Sequence, residues 1–342
     1  MNKQKIIFLK KLASLLEIEM PIREALSIAA KNNKNKSLGS AIQRLIQRVN
    51  LGESLSASMS YDREFWYSLI IALVWAGELS SKLHQHLSEA ADLMEKNQKF
   101  IKKVISALVY PLVIAVVSMG LIIFLLFYIY PKIIPVLNSL NIPLPFTTKV
   151  IIYVKHIIET CWYIPVFLGV VCFSLSLVKR VKNYYKVIFH TIVTTMPVIG
   201  SLFKTYNFSV AAKHIGTISP TEIGLIQSIA MASEVVTVLD VKDGLIKLIT
   251  SLQKGESVSN SLIADKRFPD IWHEYSFIGE RTSRLSLMFL KISNIHEREV
   301  EEKVELYSKF LEPLLMVITG GVVLFIALSI IGPMYSITQY VQ

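Results

Sequence analysis

The sequence predicts an all-α polytopic membrane protein with two repeated cytoplasmic six-helix bundles and three transmembrane helices. Three observations predict it. The chain is 52% hydrophobic and only 18% charged, with mean hydropathy +0.48, which is too apolar for a soluble protein of 342 residues. Three runs, at 104–130, 161–178 and 314–331, contain no Asp, Glu, Lys, Arg or His, and a helix needs about 20 apolar residues to span a bilayer. Finally, the first half of the chain recurs in the second.

The repeat has a constant register. Glu78 and Glu280, Leu83 and Leu285, Pro111 and Pro313, and Pro131 and Pro333 are each 202 positions apart. Upstream, Gly52-Glu53-Ser54-Leu55-Ser56 matches Gly255-Glu256-Ser257-Val258-Ser259 at 203, as Asp62 matches Asp265, so the second copy lacks one residue between Phe268 and Gly279. Such a match specifies two copies of one structural unit.

Charge orients the chain. Residues 1–103 hold 16 Lys and Arg, 131–160 hold 3, 179–311 hold 17 and 333–342 hold none. Basic residues resist translocation, so the expected domains are cytoplasmic bundles at 1–103 and 179–311, spans at 104–130, 161–178 and 312–332, a periplasmic loop at 131–160 and a periplasmic tail at 333–342. The net charge of +10 is spread thinly, without the aromatic interleaving of a nucleic-acid surface. Cys161 and Cys172 lie in one apolar run, about 16 Å apart along a helix, too far to bond, and read as small buried hydrophobes.

In the first bundle Phe8, Leu9, Leu12, Leu15 and Leu16 share one helical face, which makes the N-terminus an amphipathic helix of the mature protein and not a removed signal. That helix stops before Pro21, which fits the first turn of a second helix. Ser37 is the expected N-cap of the third helix, Ser54 of a short fourth, Asp62 of a fifth, and Ser80 or Ser81 of the sixth, which runs on into the bilayer. Beyond the membrane, Lys132 to Glu159 starts proline-rich and turns amphipathic. In the second bundle Ser219-Pro220-Thr221-Glu222 reads as a capping box opening the second helix, and Asp240 as the cap of the third. The last helix carries Glu297, Glu299, Glu301, Glu302 and Glu305; Glu299 with Lys303 and Glu305 with Lys309 have the spacing of stabilising pairs on a solvated face.

No motif for chemistry appears: no Walker A, no Gly-x-Ser-x-Gly, no His-Glu-x-x-His and no Cys-x-x-Cys. No enzymatic activity, cofactor or metal is expected. Glu89 and Asp92, one helical turn apart, are the weak metal candidates, needing further oxygen ligands to hold a hard cation. Uncharged spans disfavour ion transport, which leaves a duplicated transporter as the reading from another class. Ser118, Gly120, Gly320 and Gly321 allow close helix contact within the membrane. Pro111 and Pro313, where the first and third spans meet the membrane, are candidate hinges.

The duplicated Gly-Glu-Ser-x-Ser, the following Gly77-Glu78 and Gly279-Glu280, the membrane-boundary prolines and Leu144-Pro145-Phe146-Thr147 resemble the type II secretion F-domain family, the inner-membrane platform proteins of type IV pilus and type II secretion machines. The resemblance implies a non-enzymatic, oligomeric platform in the bacterial inner membrane. Its implied partners are a hexameric cytoplasmic assembly ATPase, pilin or pseudopilin subunits, inner-membrane alignment proteins and membrane lipid, with no nucleic acid. It leaves Gly52, Glu53, Ser54, Gly255, Glu256 and Ser257 as helix boundaries or partner contacts. Glu78 and Glu280 are left between an ionic role in the bundle and one at the ATPase surface. In that family a glycine usually stands at the positions of Ser81 and Ser283. The short N-terminus favours a pilus over a secretion system.

Overall fold

The computed structural model describes residues 2–31, 36–63, 65–129 and 196–340, together with positions 131, 132, 135, 149, 150, 153 and 160. The second expected span, both cysteines and the Leu144-Pro145-Phe146-Thr147 motif lie outside them. The first copy consists of α1 (Asn2–Glu17), α2 (Ile22–Ala30), α3 (Lys36–Asn50), α4 (Leu55–Ser60), α5 (Ser68–Leu79) and α6 (Leu83–Phe124), followed by a π-helical turn at Leu125–Ile129. The second consists of α7 (Pro197–Ile218), α8 (Leu225–Val235), α9 (Leu239–Gln253), α10 (Val258–Ile263), α11 (Asp270–Arg281) and α12 (Leu285–Tyr340). Among the described residues there is no strand.

Two compact units result: Met1–Lys103 with Val193–Glu302, and Val104–Ile192 with Lys303–Gln342. Within the first, each copy has its own core. In α3 the buried Leu38, Ala41, Ile42, Leu45 and Val49 recur at helical spacing, and they meet Leu9, Leu12, Leu26, Trp66 and Leu73 from the neighbouring helices. The second core gathers Ile215, Ile229, Val241, Leu245, Trp272 and Phe289. Each fully buried Leu, Ile or Phe contributes about 1.5–3 kcal/mol, so these stripes are what keep the short helices in place. Polar groups are buried in the first copy too, among them Ser56, Ser58 and Lys5; the Lys5 ammonium donates to the Phe65 carbonyl and lies 3.6 Å from the Phe65 ring centre, and burial pushes it down to about 8.

Two helix ends recur in both copies with the same backbone hydrogen bonds. α3 and α9 close on left-handed Gly52 (φ 94°) and Gly255 (φ 86°). The N–H of Glu53 bonds the Arg48 carbonyl at 3.2 Å, and that of Glu256 bonds Ser251 at 3.1 Å, the backbone pattern of a Schellman stop. α5 ends the same way, Lys82 N–H to Gly77 carbonyl at 3.0 Å, with Ser81 at φ 56°. α11 repeats it, Arg284 N–H to Gly279 carbonyl at 2.8 Å, with Ser283 at φ 54°. Ser80 and Ser81 therefore finish α5 and do not cap α6; a serine without glycine's freedom occupies the left-handed position.

Other expected caps are displaced. Ser37 is the second residue of α3, and Asp62 belongs to a turn whose carbonyl accepts the N–H groups of Phe65 and Trp66, both at 2.8 Å, ahead of α5. Ser219 to Ile223 is a turn that ends α7, and α8 starts after Gly224 (φ 76°). Asp240 lies in the first turn of α9, behind Val238.

In the second unit, Leu126 and Ile326 are buried against each other with Ile122, Leu125, Val322 and Phe325 around them. The Tyr110 hydroxyl donates to Glu312 Oε1 at 3.0 Å; these residues precede Pro111 and Pro313 and are equivalent in the two copies. Leu83–Ile129 and Leu285–Ser329 are long and apolar enough to cross a membrane, and only 6% of each apolar window is buried within the protein. Faces so apolar and so uncovered call for a hydrocarbon solvent. Both α6 and α12 remain helical through their proline.

Replacing Ser81 or Ser283 with Gly relieves the left-handed backbone and is expected to stabilise the chain by about 0.5–1 kcal/mol each. Gly77→Ala and Gly279→Ala act oppositely, because an added Cβ lies 2.9 Å from the Leu83 or Leu285 Cα. Thermal unfolding of the detergent-solubilised variants checks both signs.

Candidate functional site

α4 and α10 have six residues each, too few to persist alone. Ser54 and Ser257 cap them, each Oγ accepting from the N–H three residues on (Ala57 and Asn260) at 3.2 Å. Two further N–H groups of each helix are taken by the glutamates 21 to 23 residues downstream. Glu78 accepts from Leu55 N–H at 2.5 Å, Ser56 N–H at 3.3 Å and the Ser56 hydroxyl. Glu280 accepts from Val258 N–H at 2.5 Å, Ser259 N–H at 3.2 Å and the Ser259 hydroxyl. Carboxylates at a helix N-terminus also gain from its partial positive charge. Gly77 and Gly279, one residue earlier, admit the next helix at contact distance. The motif is thus a fastener joining α4 to the α5–α6 corner and α10 to the α11–α12 corner.

Glu53 and Glu256, by contrast, are treated differently by the two copies. Glu53 receives Arg48 at 3.2 Å, and that guanidinium stacks 3.3 Å from the Tyr61 ring centre. Glu256 accepts from the Ser261 hydroxyl at 3.3 Å.

Ion pairs absent from the sequence reading repeat with the same register. Lys10 on α1 pairs with Glu95 on α6 at 2.8 Å, and Lys213 on α7 with Glu297 on α12. Arg44 reaches Asp62 at 2.7 Å, and Lys247 reaches Asp265 at 3.7 Å. Aligning the copies charge by charge would have exposed these pairs, since each partner shifts by 202 or 203 positions. Lys10 and Lys99 hold the Glu95 carboxyl down to about 2 by hydrogen bonds. Arg267 does the same for Asp265, whose carboxylate it grips at 2.8 and 2.6 Å, lowering it from 3.8 to about 2.

The two copies meet within the first unit. Phe100 stacks on Tyr206 with ring centres 6.1 Å apart, Lys103 pairs with Glu301, and Arg63 approaches Glu234 at 4.0 Å. Two of the five glutamates expected on a solvated face, Glu297 and Glu301, thus face other helices, whereas Glu305 pairs with Lys309 at 2.9 Å along α12. Glu89 and Asp92 each have another neighbour: His86 lies 3.4 Å from Glu89, and Lys10 lies 3.1 Å from Asp92. Among the described residues no three His, Cys, Asp or Glu side chains group as metal ligands.

Glu78→Gln keeps the shape but weakens a charge-assisted contact at a half-buried site, and is expected to cost about 1–2 kcal/mol, with Glu280→Gln costing the same. Because the two sites share no residue, the double variant should lose the sum in a denaturant titration. The Asp265 contribution has a defined pH window. Its folded value lies below the ordinary one, so the stability it adds is complete above pH 3.8 and is lost as pH falls through about 2. Asp265→Asn should flatten that part of the acid-unfolding profile.

The duplicated register also locates the chain among known proteins. Residues 8–131 and 211–333 each match the family Type II secretion system (T2SS), protein F. The type II secretion system protein F of Pseudomonas aeruginosa is 27% identical over 97% of this chain and 82% of its own length. The type IV pilus assembly protein PilC of Myxococcus xanthus is 23% identical over 100% of this chain and 82% of its own, and PilC of Pseudomonas aeruginosa is 23% identical over 98% and 90%. With both copies of the repeat matched, and with them most of its length, the chain belongs to the type II secretion system protein F family.

Proposed function

We propose that the protein is a non-enzymatic inner-membrane platform that couples a cytoplasmic assembly ATPase to pilin subunits held in the membrane. One observation carries the reading. α6, of 42 residues, and α12, of 56, each join an ion-paired soluble portion to an uncharged apolar portion in one unbroken helix. A continuous helix transmits displacement along its axis, whereas a flexible linker dissipates it. The charge distribution supports a cytoplasmic N-terminus, three spans and a periplasmic C-terminus. The type IV pilus is the machine we assign, on the strength of relatives named PilC that align along nearly the whole chain. Type II secretion is the second reading, favoured by the higher identity of relatives named protein F.

The Gly-Glu pairs belong to the internal fastener in this reading, because the Glu78 and Glu280 carboxylates are engaged by α4 and α10. Pro111 and Pro313 each remove one backbone N–H from a long helix at the same repeat position, and are assigned to the angle at which it enters the bilayer.

Capture of the tagged chain from gently solubilised membranes is expected to bring down a hexameric ATPase with a pilin; a pseudopilin in its place selects the secretion machine, and a solute-uptake phenotype with neither partner overturns the platform. Pro313→Leu should insert normally yet reduce filament number severalfold. Unchanged filaments on electron micrographs would remove the hinge.

A further inference from the structure

The seam between the two copies holds a half-open cavity of about 400 Å³ within the first compact unit. Its walls are largely apolar: Leu69, Leu73, Ala90 and Met94 from the first copy, Val210 and Val235 from the second. Volume, apolar lining and a position between two structural units are the attributes of small-molecule sites. Of the charges around it, Lys213 is paired with Glu297, and Arg63 lies 4.0 Å from Glu234 on the exposed rim.

His214 is the polar group this arrangement leaves unused. It lines the cavity and is only 7% exposed. Its Nδ1 lies 2.8 Å from the Val210 carbonyl, which only accepts, so Nδ1 carries the proton and Nε2 keeps a lone pair. Among the described residues nothing donates to that Nε2. Burial pushes the imidazole down to about 4, so it is uncharged at neutral pH. Nε2 is not sealed off from the cavity, and a ligand that brings a donor can bond it there. Nearby, the Tyr206 phenol is held protonated by burial, and the Asn97 and Gln98 amides complete the polar edge.

We propose that this cavity binds an uncharged, largely apolar small molecule that donates one hydrogen bond to His214 Nε2 and so clamps the two copies together. Charge selects against other classes. An anion would meet a lone pair with every neighbouring cation already paired, and a cation would find both carboxylates occupied. The site is asymmetric: the residue equivalent to His214 in the first copy is Lys11, whose ammonium donates to the Ile28 carbonyl at 2.8 Å. One ligand per chain follows.

The test uses the full chain in lipid nanodiscs and isothermal titration with 2-naphthol, after subtraction of empty nanodiscs. Saturable binding of one naphthol per chain is expected, with 2-methoxynaphthalene, which has no donor, about tenfold weaker. Naphthalene-2-carboxylate should show no saturable binding. His214→Phe should weaken naphthol about tenfold and erase its advantage over the methyl ether, whereas His214→Gln, which retains an acceptor, should keep that preference. Val210→Phe fills the cavity from its wall and should abolish binding, so it decides the matter if His214→Phe does not fold. Uptake no greater than into empty discs, a carboxylate that binds as well as naphthol, or binding indifferent to both His214→Phe and Val210→Phe would each overturn the proposal.

Discussion

A carboxylate bound across the first turn of a six-residue helix is the contact on which each half of this protein depends. α4 and α10 cannot nucleate by themselves, yet each buries residues that complete a core, Leu55 and Met59 in one copy, Val258 and Leu262 in the other. Glu78 and Glu280 supply the acceptors that the isolated helix lacks and fix it to the end of the next long helix. The neighbouring glycine follows from the same constraint. For the glutamate to reach α4 from the last turn of α5, α6 must start close by, and Gly77 lets Leu83 approach to a distance that any side chain would block. Three sequence features, Gly-Glu, Ser-x-Ser and the left-handed serine, are parts of one corner.

That corner has a mechanical consequence. The helix it starts is the helix that continues with an apolar surface, so the orientation of the soluble helices is set within a turn or two of where α6 and α12 begin. Lys10 with Glu95 and Lys213 with Glu297 then brace each long helix again further along, against the first helix of its own copy. The exposed Lys10–Glu95 pair adds little stability by itself, and the part-buried Lys213–Glu297 pair has desolvation to offset. Their value here is geometric, since two attachment points define a direction where one does not.

Much of this was legible in the sequence, because composition and register are global properties that survive local error. The apolar runs and the doubled motif specified helical architecture and duplication, and Gly52 with Ser54 and Gly255 with Ser257 marked helix boundaries that the structure places there. Single capping residues were misread where tertiary packing outweighed local preference. Asp62 looks like a cap but is drawn into a turn by Arg44, and Ser219-Pro220-Thr221-Glu222 has a capping-box spacing yet serves to end α7. Ser81 has the chemistry of an N-cap and the position of a C-terminal glycine; only the backbone angle distinguishes them. The partners of Glu78 lie 22 and 23 residues upstream, a distance at which periodicity carries no information.

The two copies diverge by a rule that the energetics of buried polar groups explains. Ser209 and Ser293 share a buried hydrogen bond at 3.3 Å, and both equivalents in the first copy are apolar, Ile6 and Ala91. The Trp272 indole donates to His296 Nε2 at 3.1 Å, and the first copy has Met94 in place of the histidine, with Leu69 and Ile70 at the register of the tryptophan. Losing one member of such a pair strands a buried donor or acceptor, whereas exchanging both for apolar groups is nearly neutral. Substitution in pairs is therefore what a duplicated core tolerates as its copies drift apart. His214 does not follow that rule: its backbone bond satisfies one nitrogen, and the other faces a cavity that only one copy contributes with a histidine. That open acceptor, present in one copy and not in its twin, is what the donor of the proposed ligand would meet.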